Sequence, residues 1–167
     1  MRLFVAVWPS PEIIERLNGL ERPDVDGLRW TTADQWHVTL RFLGDADDVA
    51  AKDAFGWISA GGPTTAELGP VTGRFGRRVL HVPVAGLEEL AAAAVAATAG
   101  VGKAPDSRPF SGHVTLGRAR DRRGVDLRPV AGVAVAGRWD VSEITLVASH
   151  LGGRGPARYE VVETLAL

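Results

Sequence analysis

Apolar residues fall in short runs along this chain, separated by turn-rich segments, and the spacing inside each run predicts its form. Leu3-Phe4-Val5-Ala6-Val7 is a continuous apolar run and predicts a buried strand. Ser10-Pro11-Glu12 supplies a capping hydroxyl, a proline for the first helical position and an acid in the first turn. Ile13, Ile14, Leu17 and Leu20 follow at helical spacing. Arg29 to Thr32 predicts a short strand, and Trp36 to Leu43 a longer one closed by Gly44. Asp45 to Ile58 has an acidic, capped start and predicts a second amphipathic helix, with Val49, Phe55 and Ile58 directed to the core.

Gly61-Gly62-Pro63 ends that helix, and Thr65–Phe75 and Arg78–Val84 predict neighbouring strands. Leu87 to Thr98 is alanine-rich and strongly helical by propensity, with a face small enough to pack close to a sheet. After a loop at 103–109, further strands are expected at Gly112–Arg118, Val130–Ala136, Glu143–Ser149 and Tyr159–Leu165, with Gly152 to Pro156 as a flexible hairpin-like connection. Strands outnumber helices and the order lacks a regular βαβα alternation, which predicts an α+β fold.

The chain has 167 residues, 46% of them hydrophobic and 23% charged, which favours one compact domain spanning 1–167 and excludes wholesale disorder. With no cysteine, a disulfide scaffold, a thiol nucleophile and a thiolate-ligated metal are excluded. No apolar run reaches the roughly 18–20 residues of a membrane helix, and MRLFVAVWP is too short for a signal peptide, so a soluble cytoplasmic protein is expected. The net charge of −1 creates no global attraction for a polyanion. Its distribution is uneven, with 9 basic and 13 acidic side chains in residues 1–100 against 10 and 7 in residues 101–167. Arginine dominates the basic residues, which suits phosphate oxygens.

The tetrapeptide His-Val-Thr-Leu occurs twice, at 37–40 and 113–116, each time in an expected strand and just before a basic residue, Arg41 or Arg118. Alternation along a strand puts His and Thr on one face, with Val and Leu behind. His37, Thr39 and Arg41 then share a face, as do His113 and Thr115. Arg118 has the opposite parity to His113, unless a bulge at Gly117 re-aims it. Two such strands side by side make a cleft with two imidazoles, two hydroxyls and an anion-binding rim. One neutral imidazole can remove a proton from an attacking oxygen while a protonated one supplies the leaving oxygen, which is the requirement of phosphodiester cleavage. Thr39, Thr115, Arg118 and Arg41 are the candidate phosphate contacts.

The other two histidines, His81 and His150, read as ordinary strand residues. The spacings of 44, 32 and 37 between the four match no metal-ligand motif. Neither a GxxxxGK[ST] loop nor a GxGxxG fingerprint is present, so no cofactor and no metal is expected.

At the residues Arg2-Leu3-Phe4-Val5-Ala6-Val7, Trp36 to Gly44, Phe110 to Arg118, Ser149-His150-Leu151 and Tyr159, the chain resembles the 2H phosphoesterases, specifically the RNA 2′,3′-cyclic phosphodiesterases also called 2′-5′ RNA ligases. The resemblance implies a bilobal α+β fold of two pseudo-symmetric antiparallel sheets with flanking helices around a central cleft. It also implies metal-independent opening of a 2′,3′-cyclic phosphate at an RNA or nucleotide end to a 2′-phosphate, with reverse 2′-5′ joining of RNA ends. By the same resemblance His37 matches the proton donor and His113 the proton acceptor, with Thr39, Thr115 and Arg118 at phosphate-contacting positions. Gly112 departs from the proline commonly found before the second histidine. The alternatives are a non-catalytic RNA-end binding module and a hydrolase of another small cyclic phosphate, such as ADP-ribose 1″,2″-cyclic phosphate. RNA ends or small nucleotides are the expected partners, with no membrane, and the expected state is a monomer.

Overall fold

The computed structural model describes residues 1–153 and 155–167; Arg154, within the expected 152–156 connection, lies outside the described residues. Ten strands run in chain order as β1 (Arg2–Val7), β2 (Leu28–Trp30), β3 (Val38–Asp45), β4 (Thr64–Leu68), β5 (Gly73–Phe75), β6 (Val79–Ala85), β7 (His113–Ala119), β8 (Gly137–Val141), β9 (Glu143–His150) and β10 (Arg158–Ala166). The helices are α1 (Pro11–Asn18), α2 (Asp48–Gly56) and α3 (Glu88–Ala97). The strands pair in the order β10-β9-β1-β3-β7-β6-β4-β8, with β2 added beside β7 and β5 beside β6. Every pairing between these strands is antiparallel.

Two lobes, β10-β9-β1-β3 and β7-β6-β4-β8 with β2 and β5 added, meet where β3 touches β7, and among the described residues a single ladder pair, Val38 with Val114, carries that contact. Helices α1 and α3 cross between lobes. α1 follows β1 yet packs on β8, where a side chain at Gly137 would collide with Ile13 and where Arg16 Nη1 donates to the Ala136 carbonyl at 2.7 Å. α3 follows β6 yet packs on β3. Its small residues Ala91 and Ala94 are buried, as the alanine-rich face predicts. One hydrophobic cluster drawn from both lobes fills the space behind the sheet, from Leu3, Val5 and Leu43 to Val84, Leu90 and Val114.

Local chemistry accounts for the helix starts. Ser10 Oγ accepts from the Ile13 amide at 3.4 Å and Asp47 Oδ1 from the Ala50 amide at 2.9 Å, each relieving an orphan donor of a first turn. Three expectations need correction. Val49 is 66% exposed, because α2 starts at Asp48 and presents Ala51 and Phe55 to the core instead. The expected strand at 65–75 is two strands, parted by the Gly69-Pro70 turn, where Gly69 has φ +102° and no room for a Cβ beside the Val135 carbonyl. The expected strand at Val130–Ala136 is a short helical turn, Arg128–Val130, followed by an isolated bridge between Ala134 and Val71. The strand on that lobe's edge is β8, a few residues later.

These placements predict opposite outcomes for two apolar residues of similar type. Leu43→Ala removes a fully buried side chain and is expected to cost about 2–5 kcal/mol of unfolding free energy. Val49→Lys is expected to stay within about 0.5 kcal/mol of the parent. Denaturant titration of both variants checks the pair, and equal losses contradict this assignment of the core.

Candidate active site

Both histidines of the repeated tetrapeptide stand where the lobes meet. Val38 and Val114 are the central residues of the two copies, and they are Cα partners. Antiparallel register carries His37 toward Thr115 and Thr39 toward His113, so the two copies face each other about a pseudo-twofold through the valine pair. Each imidazole is fixed in the same way. The Nδ1–H of His37 donates to the Gln35 carbonyl at 2.8 Å, and the Nδ1–H of His113 to the Ser111 carbonyl at 2.7 Å. A carbonyl only accepts, so the neutral tautomer carries its proton on Nδ1 and presents Nε2 as the free, basic nitrogen. The Thr39 hydroxyl lies 3.1 Å from His37 Nε2 and donates to it in that state.

The segment before His37 is pinned to the second copy's strand. Trp36, fully buried, donates from Nε1 to Thr31 Oγ1 at 3.0 Å, and Thr31 Oγ1 donates to the Thr115 carbonyl at 2.7 Å. The Thr31 amide donates in turn to the Leu116 carbonyl.

Period-two alternation fails at the same place in both copies. In β3, Thr39 faces Ala6 and Arg41 faces Val5, leaving Leu40 as the extra residue of a β-bulge. In β7, Thr115 faces His81 and Gly117 faces Leu80, leaving Leu116 extra. After each bulge the fourth residue beyond the histidine turns behind the sheet and the fifth returns to the cleft face. Arg118 therefore shares the face of His113 and Thr115, the outcome its expected re-aiming required. Gly117 takes the rear position, where a Cβ would lie 2.9 Å from Leu28 Cδ1.

The same shift removes Arg41 from the expected set of phosphate contacts. It is 5% exposed behind β3, with its guanidinium on Thr98 Oγ1, the Phe42 carbonyl and the Lys103 carbonyl at 3.3, 2.9 and 2.5 Å. It ties β3 to the end of α3 instead. Phe42 takes the cleft face in its place, clustered with Phe4, Trp8 and Tyr159.

The surroundings of the two imidazoles differ. His37 sits in an aromatic box, with centroids 4.9 Å from Phe4, 5.0 Å from Tyr159 (edge-on) and 5.6 Å from Trp8. Burial pushes its pKa down to about 4, the Gln35 carbonyl opposing this and the charges of Arg118 and His113 adding to it. His113 is lowered less steeply, first by burial and then by Arg118, with the Ser111 carbonyl opposing. Arg118 is thus close enough to act on both rings.

His81, which the strand pattern left as an ordinary residue, enters this site. Its ring is edge-on to His113 at 5.5 Å and stacked on Phe75 at 4.0 Å. Only its register opposite Thr115 puts it there, and no spacing in the sequence signals that pairing. His150 is engaged elsewhere, with Nε2 2.9 Å from Glu160 Oε2 at the exposed ends of β9 and β10. Gly112 has a local reason, since a Cβ there would lie 2.4 Å from the Val84 carbonyl, on the strand whose Val84 amide bonds the Gly112 carbonyl.

A bilobal α+β frame holding two His-x-Thr strands across one cleft is that of the 2H phosphoesterases. The model of the 2′-5′ RNA ligase superfamily matches residues 9–153, and the chain belongs to that superfamily. Among solved structures it is similar to TT0787 of Thermus thermophilus (26% identity, TM-score 0.81, 100% of this chain and 98% of that one). It is likewise similar to E. coli LigT complexed with 3′-AMP (28%, TM-score 0.78, 99% and 97%) and to a phosphoesterase with the same identity, TM-score and coverage. No curated protein matches the chain.

All three cleft imidazoles have pKa values below the ordinary 6.5. The unfolded chain therefore takes up protons first as pH falls below 6.5, and folding stability is expected to decline from there toward pH 4. His37→Asn is expected to flatten that decline. Urea unfolding midpoints between pH 7 and pH 4.5 check this, and a parent profile rising toward acid contradicts it.

Proposed function

We propose that the protein opens 2′,3′-cyclic phosphates at RNA or nucleotide ends to 2′-phosphates, using two imidazoles and no metal. The observation that carries this reading is the matched anchoring of His37 and His113. Each Nδ1 is held by the carbonyl two residues back, which turns both Nε2 atoms away from that anchor, His37 Nε2 sharing only the Thr39 hydroxyl. His113 Nε2 takes a proton from water as its oxygen attacks phosphorus. The O3′–P bond breaks, and protonated His37 delivers its Nε2 proton to O3′. Proton exchange with solvent then resets the pair. Thr39 and Thr115 hydroxyls and the Arg118 guanidinium hold the non-bridging oxygens, where charge builds in the transition state.

Electrostatics couple this cycle to binding. Burial, and then the Arg118 charge, keep protons off both rings in the ligand-free protein. A bound phosphate offsets the Arg118 charge and favours the imidazolium, so substrate itself helps to load His37 as the acid. The 3′-AMP complex of the similar E. coli protein supports a nucleotide as ligand class.

His37→Ala and His113→Ala are each expected to slow opening of a nucleoside 2′,3′-cyclic phosphate by about 10²–10⁴-fold with a chelator present. Turnover unchanged in either variant removes the mechanism. Binding of the cyclic phosphate with no turnover by the parent protein would instead favour a binding module. The kcat/KM profile reports the free protein's groups, and both are lowered. It is therefore expected to be bell-shaped with its maximum below pH 6.5, and a maximum above pH 7.5 counts against this pair of groups.

A further inference from the structure

Phe75 ends β5 at the mouth of the cleft and is 39% exposed. One face of its ring is covered by His81, at 4.0 Å and 22° between planes, and the ring is edge-on to His113 at 4.8 Å. His81 beneath it is 8% exposed and rests against Gly73, where any Cβ would lie 2.8 Å from its Cε1. The platform is thus formed before anything binds, and its open face belongs to the His113 side of the cleft. Beyond it the hairpin carries Arg77 and Arg78, both exposed and, among the described residues, in no ion pair.

We infer that the open face of Phe75 is a stacking site for the nucleobase of a second nucleoside, one whose 5′-hydroxyl takes the place of water at His113. The inference rests on the phosphodiesterase reading, in which His113 accepts the proton of the attacking oxygen. The nucleoside bearing that oxygen must therefore lie on the His113 side, where Phe75 stands. In the resulting step the 5′-oxygen bonds to phosphorus and its proton passes to His113. The O3′–P bond breaks, O3′ takes the proton of His37, and the product is a 2′-5′ phosphodiester with a free 3′-hydroxyl. No further reactant is needed. Stacking on a preorganised ring is tolerant of base identity, and Arg77 and Arg78 suit the phosphate that follows on a longer acceptor strand.

The test is a partition. An oligonucleotide ending in 2′,3′-cyclic phosphate is mixed with a 5′-hydroxyl acceptor, and ligated and hydrolysed products are counted in the same reaction, so any general loss of activity cancels. Base–aromatic stacking predicts that an acceptor carrying a nucleobase gives a ligated-to-hydrolysed ratio about tenfold or more above an abasic acceptor of equal charge. Phe75→Leu is expected to abolish that advantage and Phe75→Trp to keep it. Equal ratios for the two acceptors with the parent protein overturn the inference, as does a base advantage that persists in Phe75→Leu. A parent protein that hydrolyses the cyclic end but never ligates overturns the inference and leaves the phosphodiesterase reading standing. One that opens no cyclic phosphate overturns both.

Discussion

A single antiparallel contact, Val38 against Val114, fixes the geometry of this protein. The valines lie more than seventy residues apart in sequence, and each is the middle of a His-Val-Thr triplet. Joining the lobes there, and among the described residues at no second ladder pair of β3 and β7, brings both imidazoles to the seam and leaves the strands free to diverge around them. Such a junction is weak by itself, and the surrounding structure reinforces it. Trp36, Thr31 and the Thr115 carbonyl form a buried bridge across the seam, and the crossing of α1 and α3 between lobes makes each lobe part of the other's core.

Fine placement within each strand comes from the paired bulges. An ideal strand would have put Arg41 in the cleft and Arg118 behind it. One extra residue in each copy, Leu40 or Leu116, reverses both. The consequence is chemical as well as geometric. The first half offers a phenyl ring, Phe42, where the second offers a guanidinium, so two nearly identical motifs present an aromatic surface on one side and a cation on the other.

Much of this was legible in the sequence. The repeated tetrapeptide, its backing of Val and Leu, the capped helix starts and the α+β class all follow from period and residue type. What escaped detection has a common physical origin. A bulge adds a residue without changing the apolar lettering, so Leu40 and Leu116 look like ordinary inward-facing positions and the parity of Arg41 and Arg118 cannot be settled by counting. His81 joins the site through a cross-strand partner set by tertiary register, and Phe75 through a three-residue strand whose separation from β4 depends on the Gly69-Pro70 turn. Val49 misled for a simpler reason, since it lies six residues before Phe55 and so falls roughly 120° around the helix from it, off the Ala51 and Phe55 stripe that faces the core.

Identical motifs in unlike surroundings also give a near-symmetric site two unlike imidazoles. A perfect twofold would give the two imidazoles equal proton affinities. Here the difference is made by neighbours. Phe4, Trp8 and Tyr159 bury His37 and drive it to about 4, whereas His113, beside His81 and the partly open Phe75, is lowered less. Burial therefore disfavours the charged form of both rings in the ligand-free protein, most strongly at His37. An anion bound between the rings and Arg118 would work against that preference, most of all at His37, which is held in the least polar surroundings. The aromatic box therefore does more than orient a ring: it holds His37 neutral unless an anion beside Arg118 offsets the cost of charging it.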